Sequence, residues 1–368
     1  MKTPLYTIHT SLHAKMRPFS GWEMPIHYEG ILSEHAHTRE FTSIFDTCHM
    51  GEFDFSGATA EADLERLVTM NVGTIREGQC RYGHMLNDAG GVIDDLTVYR
   101  RGPRSWFVVV NAGTLQCDAK WIREHVSSGT VFSDSSGNRA KLDIQGPTAH
   151  EEVVSAVGHE LPILRYFRFT DTTIANIPCT LSRTGYTGEL GYEIYLDADR
   201  VVELWEILTK SGRIHPAGLG ARDTLRLEVG YPLYGNELTS DQVPARATRD
   251  QFIDLSKEFI GKQAVQAELE RGISRILVGL RLATKRAARK GDRIIYNSRD
   301  VGVITSGAIS PSLGVAIAFA YVDAGLETPG QTLDIDGRGK RLTATVVPLP
   351  FYSKGTARKK IERSNLSY

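Results

Sequence analysis

Hydrophobic and polar positions alternate most cleanly over residues 90–100, where Gly-Gly-Val-Ile-Asp-Asp-Leu-Thr-Val-Tyr-Arg predicts a strand opened by a glycine turn. Period-two alternation puts Asp94 on one face with Val92, Leu96 and Val98, and Asp95 on the other with Ile93, Thr97 and Tyr99. A strand this rich in β-branched and aromatic residues buries at least one face, where a carboxylate is costly, so one acid contradicts its surroundings. Such contradictions mark sites. The plainer alternative is that the acids cap the strand or pair with Arg81 or Arg100. Runs 82–86 and 106–110, the latter after a tight turn at Arg101-Gly102-Pro103-Arg104, complete an antiparallel meander.

Elsewhere the pattern is less uniform. Residues 2–50 read as irregular, ligand-wall-like sequence, with many aromatics and histidines and turn signals at Gly21-Trp22 and Met24-Pro25. A strand over 52–56 passes through Gly57-Ala58-Thr59 into a helix whose inner face is Ala62, Leu64, Leu67, Val68 and Met70. The spacing then predicts a helix over 119–125, a polar loop over 133–138, a strand over 141–145 stopped by Gly146-Pro147, and a helix from Ala149. A strand-rich interval follows over 167–182, then an amphipathic helix over 201–208 and a glycine-opened helix within 216–228 that buries Leu219 through Leu227. A charged helix and linker occupy 264–274. From Arg275 alternating runs at 276–282, 293–296, 301–305, 316–322 and 342–347 predict a C-terminal all-β barrel or sandwich. The basic tail from Ser353 to Arg363 either covers a site or frays.

A chain of 368 residues exceeds one typical core, so two or three domains are expected. Its 43 Lys and Arg against 44 Asp and Glu leave a net charge of −1, with no global pull toward nucleic acid or an anionic membrane. Four scattered cysteines, Cys48, Cys80, Cys117 and Cys179, suit a reducing, cytoplasmic setting better than a disulfide framework. The start has no apolar signal region and no run approaches the ~18 apolar residues of a span, so a soluble, unprocessed protein is expected. His35, His37 and His49 lie near Glu34 and Asp46, but without a helical i,i+4 pair or a cysteine pair no metal is expected.

Two further stretches carry candidate chemistry. Residues 183–195, Arg-Thr-Gly-Tyr-Thr-Gly-Glu-Leu-Gly-Tyr-Glu-Ile-Tyr, hold three glycines that allow close approach to a ligand, with tyrosines for stacking and two glutamates for hydrogen bonding. The spacing is neither a dinucleotide fingerprint nor a phosphate loop, and a purely structural glycine hairpin would look similar. Arg222, near a helix start, either grips a carboxylate or polar ring or pairs with Asp223 or Glu228.

Taken together, six ordered motifs resemble the aminomethyltransferase, or T-protein, family of the glycine cleavage system over essentially the whole chain. They are Gly21-Trp22-Glu23-Met24-Pro25; Phe45-Asp46 with His49-Met50-Gly51; residues 90–96; residues 182–189; residues 216–227; and Ile304-Thr305-Ser306-Gly307 with Ser310-Pro311. The resemblance implies an α+β fold, a three-part cloverleaf-like arrangement of antiparallel sheets and helices around a central folate channel. Its folate-binding part would span 1–270, with 53–137 inserted as a second subdomain, followed by a β-barrel over 275–368. It also implies a reaction: an aminomethyl group on the dihydrolipoyl arm of a lipoylated H-protein partner becomes methylene-tetrahydrofolate, with release of ammonia. By the same resemblance the essential acid is Asp95, which would hydrogen-bond the reactive edge of the reduced pterin and stabilise developing iminium character. Glu193 would grip the pterin, and Tyr82, Asn111, Tyr186, Arg222 and a C-terminal Arg358 would complete the tetrahydrofolate site.

One stretch departs from the family pattern. Where a Pro-x-Glu-Ala-Gly-Leu-x-Trp run is usual, this chain has Pro244 to Gln251, with Arg246 for Glu, Thr248 for Gly and Gln251 for Trp; Thr47-Cys48 replaces Val-Ser. This leaves open a related folate-dependent demethylase or methyltransferase acting on another N- or S-methyl donor. The non-enzymatic folate-binding class of iron-sulfur assembly is disfavoured, because its Lys-Gly-Cys-Tyr-x-Gly-Gln-Glu run is replaced by the cysteine-free residues 183–189.

Overall fold

The computed structural model describes residues 1–248, 251–337 and 339–361. The N-terminal part, expected to be irregular, is instead regular: α1 (Tyr6–Ser11), β1 (Lys15–Phe19), β2 (Trp22–His27), α2 (Ile31–Glu40) and β3 (Thr42–Asp46). Its periodicity is hidden because α2 buries Glu34, His35 and Thr38, a polar face with no apolar stripe to read. Glu34 explains that burial. One of its oxygens accepts the backbone N–H groups of Tyr28, Glu29 and Gly30 at 2.6, 3.0 and 3.1 Å, and the other that of Gly218 at 2.8 Å.

The next elements are β4 (Gly51–Gly57), α3 (Ala60–Leu67), β5 (Gln79–Leu86), β6 (Val92–Gly102), β7 (Ser105–Val110), α4 (Leu115–His125) and β8 (Thr130–Asp134). The strands form an antiparallel sheet in the order β5-β6-β7-β4-β8, and the expected meander is its first three. The polar run at 133–138 is not all loop: Ser133 and Asp134 end β8, paired with Asp54 and Phe53 on a sheet edge that tolerates polar residues. In α3 the inward positions are Ala60, Asp63, Leu64 and Leu67, while Ala62 is exposed. Asp63 goes inward because its carboxylate accepts bonds from Ser127 and Thr130.

Alternation in β6 holds, with Val92, Asp94, Leu96 and Val98 buried and Ile93, Asp95 and Thr97 half-buried. Gly91 is required at its start. A Cβ there would lie 1.9 Å from the Ser240 carbonyl oxygen, whose neighbours Thr239 and Gln242 accept the N–H of Val92.

A six-stranded sheet follows in the order β10-β11-β12-β9-β3-β13, with β13 parallel to β3 and the other pairs antiparallel. Its later elements are β9 (Arg139–Gln145), α5 (Ala149–Val157), β10 (Phe169–Ile174), β11 (Ile177–Ser182), β12 (Gly191–Asp197), α6 (Val201–Thr209), β13 (Ile214–Pro216) and α7 (Leu219–Glu228). Val153, Val201, Leu204, Trp205 and Leu208 from α5 and α6 share one core with Ile44, Leu142, Ile144 and Ile194 of the sheet. Each such aliphatic side chain contributes about 1.5–3 kcal/mol by burial.

After α8 (Ala245–Thr248) and α9 (Lys262–Arg271) the chain closes a barrel. Its strands are β14 (Arg275–Leu282), β15 (Arg293–Tyr296), β16 (Arg299–Ser310), β17 (Val315–Asp323), β18 (Thr332–Gly337) and β19 (Lys340–Val347), ordered β14-β17-β16-β15-β18-β19. Sequence reading missed β18, where buried Leu333 and Ile335 are interleaved with Asp334 and Asp336. Helix α7 holds the barrel: buried Arg226 donates to Glu237 at 3.0 Å and Ser306 at 2.8 Å, while Glu228 accepts from Ser310 and Ser312. The antiparallel sheets, helices and terminal barrel are the expected α+β architecture. Among the described residues no helix is long and apolar enough to cross a membrane.

Candidate functional site

A cavity of about 1110 Å³ opens where the two larger sheets and the barrel meet, lined by Asp95 of β6, Lys141 of β9, Glu193 of β12 and Val278 of β14. Tyr82, Asp95, Asn111, Tyr186, Glu193, Arg222 and Arg358 all border it. Residues from strands far apart in sequence thus converge on one space.

Asp95 reaches this space because β6 alternates. Its carboxyl accepts the Tyr82 hydroxyl at 2.9 Å and the Asn111 side-chain N–H at 2.9 Å. Asn111, just past the end of β7, also gives its backbone N–H and its amide to Asp94, each at 2.8 Å, so one residue clamps both acids. Burial and the charge of Asp94 push the Asp95 carboxyl up to about 7, only partly offset by Tyr82 and Asn111. Neither acid uses Arg81 or Arg100. Arg81 binds Asn71 and Thr74, and Arg100 binds the Ile75 carbonyl and Glu61.

Glu193 forms a second polar corner. One oxygen meets Lys141 Nζ at 2.5 Å, and the other accepts from Thr184 at 2.5 Å and Tyr195 at 3.2 Å, with Tyr99 at 3.4 Å. Burial alone would raise this carboxyl; Lys141, Thr184 and Arg222 outweigh it and hold the group ionised, below its usual range. A carboxylate has about four acceptor positions, so the oxygen bound to Lys141 retains capacity for a ligand N–H.

Arg222 pairs with neither Asp223 nor Glu228. It reaches across to Asp143 of β9, while Asp223 holds Arg226 and Glu228 holds Arg39 and His35. Its guanidinium also lies 4.9 Å from the Tyr186 ring centroid, and the Tyr186 hydroxyl donates to the Pro232 carbonyl. Of the two glutamates in the glycine-rich stretch only Glu193 lines the cavity. Glu189 binds Arg39 and the Thr356 hydroxyl, the latter at 2.6 Å, and thereby straps the C-terminal segment along the rim. That strap needs Gly355, whose Cβ would lie 2.3 Å from the Gly188 carbonyl oxygen. It brings Tyr352, Ala357 and Arg358 to the cavity, with Arg358 5.8 Å from the Tyr166 ring centroid. The tail therefore lines the site as far as Arg358, and Ile361 packs against the core of the six-stranded sheet; Glu362 and Arg363 lie outside the described residues.

Sequence reasoning missed Lys141 and Asp143, and gave no role to Thr184 or Tyr99. The signal for the first two was present, since two charges interrupt the apolar strand β9 as Asp94 and Asp95 interrupt β6. The histidines disperse. His35 meets Thr224 at 2.8 Å, His37 stacks on His215 at 3.9 Å between centroids, and His49 lines the cavity, its pKa lowered to about 4 by burial. In the unusual 244–251 stretch Arg246 pairs with Glu268 at 2.5 Å, and Ala247, Thr248 and Gln251 line the cavity; Arg249 and Asp250 lie outside the described residues.

Chemically, the cavity offers an ionised carboxylate with capacity for a ligand N–H, several aromatic rings, the four cations Lys141, Arg222, Arg226 and Arg358, and a carboxyl raised to about 7. Such a set suits a flat polar heterocycle with an anionic extension.

Residues 5–257 match the family described as GCVT N-terminal domain, and residues 275–353 match the glycine cleavage T-protein C-terminal barrel domain. A protein named aminomethyltransferase from Halothermothrix orenii is 41% identical over 354 residues, covering 95% of this chain and 99% of its own. Another of that name from Shouchella clausii is 40% identical over 360 residues, covering 96% and 98%. The crystal structure of glycine cleavage system aminomethyltransferase T from Bartonella henselae superposes with a TM-score of 0.92 at 31% identity, covering 98% of this chain and 99% of that one.

Proposed function

As a member of the glycine cleavage T-protein family this chain is an aminomethyltransferase, and we propose that it moves the one-carbon unit of an aminomethyl-dihydrolipoyl H-protein onto tetrahydrofolate. The carbon–sulfur and carbon–nitrogen bonds of the aminomethyl group break, two bonds to folate nitrogens form, and ammonia and the dihydrolipoyl thiol leave. The observation that carries the residue assignment is the presence of Asp95 and Glu193, from different sheets, in one cavity.

Glu193, fixed by Lys141, accepts an N–H donor of the pterin on the oxygen that Lys141 holds. Tyr82 and Tyr186 bound the ring, and Arg222 and Arg358 offer charge to the polar and anionic parts of folate. Asp95, braced by Tyr82 and Asn111, hydrogen-bonds the reactive edge and stabilises the positive charge that develops as ammonia departs. Its ionised form does this work.

Tetrahydrofolate is expected to raise the melting temperature, by about 2.7 kcal/mol of stabilisation when it exceeds its dissociation constant a hundredfold. Glu193→Ala should remove most of that shift, because the pterin donors would be left unpaired in a desolvated site. An unchanged melting temperature at saturating folate would overturn the folate reading. Donor identity is tested separately, since Thr248 and Gln251 give the cavity wall an unusual chemistry. Aminomethyl-loaded H-protein should yield methylene-tetrahydrofolate; turnover of a small N- or S-methyl donor in its place would overturn the H-protein assignment.

A further inference from the structure

Behind the two acids of β6 lies a third. Asp118, in the first turn of α4, is fully buried, and neither carboxyl oxygen has a hydrogen-bond donor. The groups facing it are Asp94 of β6, within hydrogen-bonding reach, Thr114 and Cys117 on its own chain segment, and the more distant phenol of Tyr234. None of these is a cation. Thr114 has a single hydroxyl hydrogen, for which the Asn111 carbonyl at 3.0 Å competes with both carboxyls, so it can satisfy at most one of them. Asp94 accepts one N–H bond from Asn111 on each of its oxygens, the pattern of an ionised carboxylate, and keeps acceptor capacity for one more donor. Asp94 and Asp118 are both cut off from solvent and in hydrogen-bonding reach of each other, unlike Asp95, which borders the cavity; without a cation such a pair does not ionise twice, and a shared proton satisfies both.

We infer that Asp118 is a positioning residue that carries a proton and donates it to Asp94, fixing the carboxylate from which Asn111, and through it Asp95, is oriented. Burial first, and Asp94 second, raise the Asp118 carboxyl far above the carboxylate range, in agreement with that assignment. The consequence reaches the cavity by charge as well as by geometry. Asp94 kept anionic beside Asp95 raises the proton affinity of Asp95, so Asp118 sets the pH at which the acid works. This deepens the reading of Asp95 given above and rests on it.

The test compares Asp118→Asn, which keeps an N–H donor for Asp94, with Asp118→Leu, which removes it. Single-turnover transfer at saturating folate and donor is followed against pH. Without its donor Asp94 takes up a proton, its charge no longer acts on Asp95, and the acid limb moves down by about one pH unit, the scale of one nearby charge. Asp118→Asn should keep the wild-type inflection. An unmoved inflection in Asp118→Leu, or an equal shift in Asp118→Asn, would overturn the inference. Infrared spectroscopy supplies an arm independent of turnover and of the folding of Asp118→Leu. In buffer above the ranges where Asp95 and Glu52, another buried carboxyl raised to about 8, titrate, the wild type should show the C=O stretch of a buried protonated carboxyl, and Asp118→Asn should lack it. Absence of the band from the wild type, or its persistence in Asp118→Asn, would equally refute the assignment. If Asp95 itself is misassigned, the inflection disappears from all variants while the infrared band still reports on Asp118.

Discussion

Asp95→Asn is expected to slow single-turnover transfer by roughly 10²–10⁴-fold, the range of a positioned acid/base group, while tetrahydrofolate still raises the melting temperature. The amide preserves the shape and one acceptor, so the Asn111 contact at 2.9 Å persists, and Tyr82 accepts where it formerly donated. What is lost is the negative charge next to the one-carbon unit. Because burial and Asp94 raise Asp95 to about 7, the wild-type rate should climb through an inflection near that pH rather than near the usual carboxylate value. The ionised form is the active one, so activity falls below the inflection. Asp94→Asn should behave differently. It removes one of the two hydrogen bonds from Asn111, setting an amide N–H against a donor, and weakens the other, at a cost of about 1–3 kcal/mol of stability. It also lowers the inflection, but turnover per folded molecule on the alkaline plateau should fall much less. Equal plateau losses, or the larger one at Asp94, would show that the wrong carboxylate has been assigned.

The contrast between these acids was legible in the sequence because a strand with one buried face has a strict period, and a slip of one residue would invert every side chain. The same reasoning located the meander and most barrel strands, whose apolar positions alternate. It failed where polar residues are buried for local reasons. Helix α2 spends Glu34 on four backbone N–H groups, and β18 alternates acids with Leu333 and Ile335; in neither does a hydrophobic pattern announce the element. Partners remote in sequence were likewise invisible. Arg222 finds Asp143, 79 positions away, in preference to the acids on its own helix, because the helix start faces β9 across the cavity. The resemblance supplied Glu193 but not the lysine that keeps it charged, since that pairing exists only once β9 and β12 are neighbours in register.

Lys141→Met is accordingly expected to destabilise the protein by about 3–5 kcal/mol, the cost of leaving one member of a buried ion pair alone. The side chains of Lys141 and Glu193 are 2% and 11% exposed and 2.5 Å apart, so the pair is largely desolvated although both residues border the cavity. Lys141 also approaches the Met50 sulfur at 3.3 Å, and the thioether of the substituted side chain suits that apolar contact; the penalty is therefore electrostatic rather than steric. Deprived of its cation, the Glu193 carboxyl takes up a proton that it then shares with Thr184 or Tyr195, and the charge-assisted bonds available to the pterin are lost. Folate-induced stabilisation should therefore shrink together with intrinsic stability. Adding Glu193→Gln removes the uncompensated charge, so the double variant should regain much of the urea-unfolding free energy without regaining the folate shift. The cycle of four proteins measures both. A loss in Lys141→Met below about 1 kcal/mol, the value of an exposed pair, would show that solvent screens the two groups and that Glu193 holds its charge without help.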